Sequence, residues 1–222
     1  LNSNEKTYRR FLFYKHFFAI SKPTIVFEGK TDTVYIRGAI RRLAVDYPKL
    51  VDLNGESGPN IRVGFFRRTT TTDRILKISG GTHPLKTLIQ DFIAERKQLH
   101  IATQAQPLII MIDNDDGSKI IYSYLKEIMK TQIDPKLPYF LVHDGLYVIP
   151  TPLTTDNQHT KIEDFFEESV LKTELNGKTF NPKNEGIDKK TEYGKSHFAS
   201  HVIKSNEKTI DFSGFKPILD RL

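Results

Sequence analysis

The sequence predicts an α/β fold, a sandwich with a mainly parallel central sheet and helices on both faces. Three observations predict it. Two nearly all-apolar runs, Thr24-Ile25-Val26-Phe27 and Leu108-Ile109-Ile110-Met111-Ile112, have the composition of strands covered on both sides. Each leads through a polar turn into a stretch with apolar residues at helical spacing. Strand and helix patterns then alternate along most of the chain, as parallel packing of strands and crossover helices requires.

Taken in order, Asn4–Phe18 reads as a helix, with apolar Tyr8, Phe11, Leu12, Tyr14 and Phe18 and basic Lys6, Arg9, Arg10 and Lys15. Ser21-Lys22-Pro23 ends it. The first strand, Thr24–Phe27, is followed by a helix over Thr31–Leu43. Residues 46–60 carry Gly55, Gly58 and Pro59 and read as a loop; Ile61–Phe66 reads as a strand. The polar, basic run Arg67–Arg74 reads as a loop whose Arg67, Arg68 and Arg74 could contact phosphates. Gly80-Gly81-Thr82-His83-Pro84 opens a helix with Thr82 as N-cap and a stripe of Leu85, Leu88, Ile89, Phe92 and Ile93. After the strand Leu108–Ile112, a helix runs from Gly117 through Lys130. Tyr139–Val142 and Leu146–Ile149 read as strands around the tight turn His143-Asp144-Gly145. Lys161–Leu175 reads as a helix, residues 176–192 as a long loop, Lys195–Lys204 as a helix and Phe215–Leu222 as the start of a last one. The expected organisation is a basic linker helix over 1–22, a core over 23–150, and a helical extension over 151–222 that completes the site.

The 222 residues, 38% hydrophobic and 11% aromatic, suffice for a real core and exclude a disordered chain. The formal net charge of +6 favours an anionic partner such as nucleic acid, DNA or RNA. With no Cys there is no disulfide framework and no thiolate metal site, which fits a reducing, cytoplasmic setting. No apolar run approaches the ~20 residues needed to span a bilayer, so no membrane role is expected. The chain begins with Leu, and further polypeptide is expected before it.

The chemistry-bearing feature is the placement of acids. Glu28 closes the first strand and Asp32 follows one helical turn later; Asp113 and Asp115 close the second strand, two apart, so that both can point to one side. In parallel sheets the carboxyl edge is the ligand edge. Acids gathered there repel one another unless a cation or protons intervene, and hard divalent cations prefer oxygen ligands. Asp32 is also accounted for as a helix-start acid favoured by the dipole; Glu28 is not.

Glu28-Gly29-x-x-Asp32 after one apolar strand and Asp113-x-Asp115 after another resemble the Toprim domain, shared by topoisomerases, primases, small maturation ribonucleases and the overcoming-lysogenization-defect nucleases. The resemblance covers roughly Pro23–Ile149. It implies a Toprim-like sandwich in which Glu28 acts as base or acid at a scissile phosphate and the Asp113/Asp115 pair binds Mg²⁺. Ile162-Glu163-Asp164-Phe165-Phe166 is similar to the acidic helix start that supplies second-metal ligands in nuclease-type Toprims, and Gly194-Lys195-Ser196-x-Phe198-Ala199 to the segment carrying their catalytic Lys. The resemblance thus implies catalytic Glu28 and Lys195, with Glu28, Asp32, Asp113, Asp115, Glu163 and Asp164 holding Mg²⁺ or Mn²⁺, two ions in all. The chain also resembles the C-terminal Toprim region of retron reverse transcriptases. That implies an upstream reverse transcriptase domain, a branched RNA–DNA partner, a bacterial cytoplasmic location and a nuclease effector role in anti-phage defence. The alternative is a non-catalytic Toprim scaffold that holds the RNA–DNA complex. Topoisomerase or primase activity is less favoured, since no strand-passage module or primase zinc module is present in this sequence.

Three further constellations carry less. His197 and His201 have the spacing of a zinc-binding helix but no accompanying glutamate or Cys. His143 follows a strand and could orient water or a phosphate. Gly80-Gly81 lacks the spacing of a phosphate-binding loop.

Overall fold

The structure is a computed structural model that describes residues 2–55, 58–183 and 186–222. Leu1, on which the expectation of preceding chain rests, lies outside them, as do positions 56, 57, 184 and 185 of the two expected loops. In chain order the elements begin with α1 (Ser3–Phe13), continued by a π-helical turn (Tyr14–Phe18), then β1 (Thr24–Phe27), α2 (Asp32–Arg42), β2 (Val51–Asp52), β3 (Asn60–Ile61) and β4 (Gly64–Phe65). Next come α3 (Thr70–Leu76), α4 (Thr82–Gln98), β5 (Leu108–Ile112), α5 (Lys119–Met129), β6 (Phe140–His143) and β7 (Leu146–Pro150). The chain ends with α6 (Glu168–Leu171), β8 (Thr179–Phe180), β9 (Glu192–Tyr193), α7 (Lys195–His197) with a π-helical continuation (Phe198–Ile203), and α8 (Lys216–Leu219).

These elements form two compact units. One contains the residues up to Lys30 together with Val63–Thr160, the other Thr31–Arg62 with Lys161–Leu222. The division is not the sequential one expected. Residues 1–22 belong to the unit that carries the sheet rather than standing apart as a linker, and Thr31–Arg62, expected within a 23–150 core, groups with the C-terminal segment.

The first unit is built on a five-stranded sheet in the order β4-β1-β5-β7-β6, parallel except for β6. The α/β class and the mainly parallel sheet with helices around it are as expected. Every residue of β1 and β5 is buried, which explains their unbroken apolar composition. Val26, Leu108, Ile110, Ile112, Leu146 and Val148 share a core with Leu12, Phe13, Phe17 and Phe18 of the first helix and with the apolar stripes of α3, α4 and α5. The basic side chains of α1 are partly neutralised within this unit: Arg9 reaches Asp91 and lies 2.8 Å from Glu95 Oε1, and Arg10 lies 3.2 Å from Glu95 Oε2. The turn between β6 and β7 holds Gly145 at φ +71°, the left-handed conformation that favours glycine.

Two local expectations for this unit need correction. The expected loop Arg67–Arg74 is in large part helix α3, because Thr69 and Thr72 form a reciprocal capping box that satisfies its first turn. The strand expected over Ile61–Phe66 is two short strands, β3 pairing with β2 and β4 pairing with β1, and they fall in different units.

In the second unit, α2 carries Tyr35 into an aromatic cluster. Its ring stands edge-on to Phe166 (5.1 Å between centroids) and Phe198 (6.0 Å). Phe166 also meets Phe212 and Phe215, and Phe180 stacks on Phe198 at 4.1 Å. This cluster explains why the helix expected over Lys161–Leu175 is broken. Phe166 and Glu167 adopt extended backbone (ψ 149° and 148°), leaving a 3-10 turn at Ile162–Phe165 and a single α-turn at α6. The expected loop 176–192 is closed by the parallel pair β8–β9. Among the described residues no helix is long and apolar enough to cross a membrane.

Candidate functional site

The expected site residues fall in both units, with Glu28, Asp113 and Asp115 in the first and Asp32, Glu163, Asp164 and Lys195 in the second. In the first unit, β1 and β5 run parallel with Phe27 opposite Met111. Continuing that register puts Glu28 level with Ile112, one residue short of Asp113, so both acids leave the sheet at its carboxyl edge. Glu28 Oε1 accepts a hydrogen bond from the Thr82 hydroxyl at 3.1 Å. Thr82 is therefore not the N-cap; Gly81 (φ +83°) takes that position and frees the hydroxyl for Glu28. A Cβ placed on Gly117 would sit 3.0 Å from Asp115 Oδ1 and 3.1 Å from Thr82 Oγ1. Gly117 thus lies between the Thr82 hydroxyl and the Asp115 carboxylate, and a side chain there would crowd both. Asp115 Oδ1 also accepts from Gly117 N at 2.8 Å.

Asn114 explains the orientation of the acids on either side of it. It is buried, its Nδ2 donates to Pro135 O (3.0 Å) and Thr151 O (3.1 Å), and its Oδ1 accepts from the Tyr122 hydroxyl at 2.7 Å. Its backbone N–H donates to Thr160 O and Thr151 Oγ1. With Asn114 anchored inward, the alternation of an extended segment turns Asp113 and Asp115 the other way. Asp116 lies at the surface, paired with Lys119 at 2.6 Å, which holds its carboxyl below the usual range.

Arg68 is a strand-end brace. Its guanidinium donates to the carbonyls of Phe27 and Glu28. Arg74 pairs with Glu5 at 2.6 Å, and Arg67 is exposed. The three arginines expected to touch phosphates thus have different settings. His143 Nδ1 is buried and makes no hydrogen bond among the described residues.

The second unit holds a buried charge cluster. Asp32 and Glu163 are 6% and 2% exposed. Lys195 Nζ lies 3.0 Å from Glu163 Oε1 and donates to Oε2 at 3.1 Å; Oε1 has no aligned donor among the described residues. Burial pushes the Glu163 carboxyl above its ordinary value. Lys195 opposes the shift, and the Asp32 charge adds to it. Tyr35 is fully buried, and its hydroxyl finds no hydrogen-bond partner among the described residues. Burial, and then the Glu163 charge, hold this phenol well above the ordinary tyrosine range. Two buried acids, one of them paired with a partly exposed ammonium, thus lie in this unit with the Tyr35 phenol near both. Asp164, expected beside Glu163 as a ligand, instead faces solvent and caps its own turn, with Oδ2 accepting from Lys161 N at 2.7 Å.

Oxygen donors of this kind suit Mg²⁺ or Mn²⁺, which need one or two protein carboxylates and complete their shells with water or phosphate. Among the described residues, no three His, Cys, Asp or Glu side chains converge into a ready-made metal-binding group. His197 and His201 lie side by side on an exposed face, their rings tilted 34° to each other with centroids 5.7 Å apart.

Thr82, Asn114 and Tyr35 were not singled out in the sequence as site residues. Signals for them exist. Asn114 sits between two strand-end acids, Tyr35 lies three residues after Asp32 on one helix face, and Thr82 follows a Gly-Gly pair that leaves its hydroxyl uncommitted. No protein-family model matches the sequence, and no solved structure matches the chain.

Proposed function

We propose that this chain is a metal-dependent nuclease domain of Toprim type, cleaving phosphodiester bonds of DNA or RNA. The observation that carries the reading is the carboxyl edge of the parallel pair β1–β5. There Glu28 and the Asp113/Asp115 pair leave adjacent strands, with the Thr82 hydroxyl donating to Glu28.

Glu28, Asp113 and Asp115 would hold one Mg²⁺ or Mn²⁺, and Asp32 with Glu163 a second. When bound, such ions stabilise charge on a phosphoryl group and lower the pKa of a water nucleophile. The chain's own residues supply the rest. Thr82 fixes the Glu28 carboxylate, which acts as base or acid at the phosphate. Arg68 pins the carbonyls at the end of β1 and so limits the swing of Glu28. Asn114 holds Asp113 and Asp115 outward. Lys195 offers an ammonium to charge that develops in the transition state. In its fullest form the reading makes this domain the effector of a retron defence system, joined to a reverse transcriptase and acting beside a branched RNA–DNA.

The test is incubation with labelled single- and double-stranded DNA and RNA in Mg²⁺ or Mn²⁺, beside Glu28→Ala and Asp113→Ala. Cleavage by the wild type that both variants lose supports the reading. Cleavage retained in either variant rejects the assigned centre, and binding without cleavage by the wild type favours the scaffold.

A further inference from the structure

The second unit carries a groove of about 840 Å³ that the acid cluster does not explain. Its cationic and aromatic lining comprises Lys178, Lys183, Lys189, Lys195, His197 and His201. Leu175 and Ile187 add apolar surface to it. Among the described residues Glu192 is the acid on its wall, and that carboxylate is already engaged, accepting from Asn181 Nδ2 at 2.8 Å and from Asp188 N at 3.0 Å. Lys195 is paired with Glu163, so among the described residues Lys178, Lys183 and Lys189 against this one committed carboxylate leave a positive cleft.

The groove is a built feature. Strand β9, paired with β8, contributes Glu192 and Tyr193 to its lining, Tyr193 is buried with its hydroxyl donating to Thr173 O, and Phe180 stacks on Phe198. Lys178 Nζ donates to the Lys189 carbonyl and ties two walls together. At the base, a Cβ on residue 194 would lie 2.7 Å from Ile187 Cδ1, so glycine there lets the wall close against the start of α7.

We propose that this groove binds a single strand of nucleic acid, with the lysines on its phosphates and the exposed, neighbouring His197 and His201 rings against its bases. A cationic groove that follows the backbone, combined with ring faces for stacking, is the general solution for single-strand binding. Lys195 belongs both to this groove and to the Glu163 pair, so a strand lying here is presented to the second unit's acids. The inference deepens the nuclease reading and relies on it only for the choice of nucleic acid as ligand.

The experiment is fluorescence anisotropy of the full chain with a short labelled DNA or RNA strand, in EDTA, over a series of salt concentrations. The triple variant Lys178→Ala/Lys183→Ala/Lys189→Ala is expected to bind at least about tenfold more weakly. Its slope of log affinity against log salt should be shallower by about 2, at roughly 0.7 per phosphate contact on a single strand. Lys183→Glu/Lys189→Glu, which keeps the Lys178 tether, should lose affinity similarly. His197→Ala/His201→Ala should weaken binding with the slope unchanged, because stacking releases no counterions. Variants that melt like the wild type and bind with unchanged affinity and slope overturn the proposal. So does displacement of the strand by polyglutamate as readily as by unlabelled oligonucleotide. Because binding is read without metal, a chain that binds through the groove in EDTA but cuts nothing once Mg²⁺ or Mn²⁺ is supplied rejects the nuclease reading alone. A chain that cuts while the triple variant binds normally rejects the groove alone.

Discussion

Replacing Lys195 by methionine keeps the length of the side chain and removes the ammonium that faces Glu163. Glu163 is 2% exposed, and Lys195 retains 20% side-chain exposure. Breaking a buried pair by deleting one partner costs about 3–5 kcal/mol, and the partial exposure of Lys195 places this case near the lower end, about 3 kcal/mol. The cost depends on pH, and its sign follows from Glu163. Its folded carboxyl already titrates above the ordinary 4.5, so the folded state keeps a proton that the unfolded state has lost. Stability therefore falls as pH rises from the unfolded value to the folded one, and is level beyond it. Losing Lys195 raises the folded value further and lengthens that falling stretch, at up to about 1.4 kcal/mol per pH unit. Below about pH 4.5 the carboxyl is protonated in both states, and the variant and wild type should differ by less than about 1 kcal/mol. By about pH 8 the difference should reach about 3 kcal/mol, a fall in Tm of roughly 6–12 °C for a chain of this size. The assay is urea or thermal unfolding at both pH values for wild type, Lys195→Met, Glu163→Gln and the double variant. An equal loss at both pH values, or a coupling energy near zero in the cycle, would refute the buried-pair argument.

Glu28→Ala and Asp113→Ala are each expected to lower Mg²⁺-dependent cleavage by at least about 100-fold with little change in melting, since both acids lie at the sheet edge outside the core; parallel turnover and calorimetry check this. Asn114→Ala should cost about 2–4 kcal/mol in urea unfolding, because it strands Thr151 O and the Tyr122 hydroxyl inside the protein. It should also reduce cleavage by freeing Asp113 and Asp115. Gly38→Val should destabilise by about 1–3 kcal/mol, since a Cβ there lies 2.9 Å from Cζ of the buried Phe212; thermal melts of Gly38→Val against Phe212→Leu/Gly38→Val should show partial rescue.

The misread segments share a cause. The run of four threonines has weak helical propensity, and the capping box of Thr69 and Thr72, with Ile75 and Leu76 packed in the core, makes α3 a helix. Lys161–Leu175 has adequate local helical signals, but Phe166 is drawn into a cluster with Tyr35, Phe198, Phe212 and Phe215, and the backbone extends to let it in. Asp164 is adjacent to Glu163 in sequence yet faces the other way, because one side of a 3-10 turn is buried and the other caps it. In each case a contact distant in sequence, or a hydrogen bond invisible in composition, outweighs the local pattern.

Read alone, the sequence determined the α/β class, the two fully buried parallel strands and the position of Glu28, Asp113 and Asp115 at their carboxyl ends. Those features are local: an apolar run of a given length needs cover on both faces, and the residue that follows it must leave the sheet. Tertiary structure alone decided that α2 belongs with the C-terminal segment, that Thr82 serves Glu28 rather than its own helix, and that Glu163 is buried against Lys195 beside an unsatisfied Tyr35. It also assembled the lysine groove from segments that read as an ordinary charged loop. Burial and hydrogen-bond partners are properties of pairs of residues far apart in the chain, and one-dimensional spacing carries no record of which of those pairs will meet.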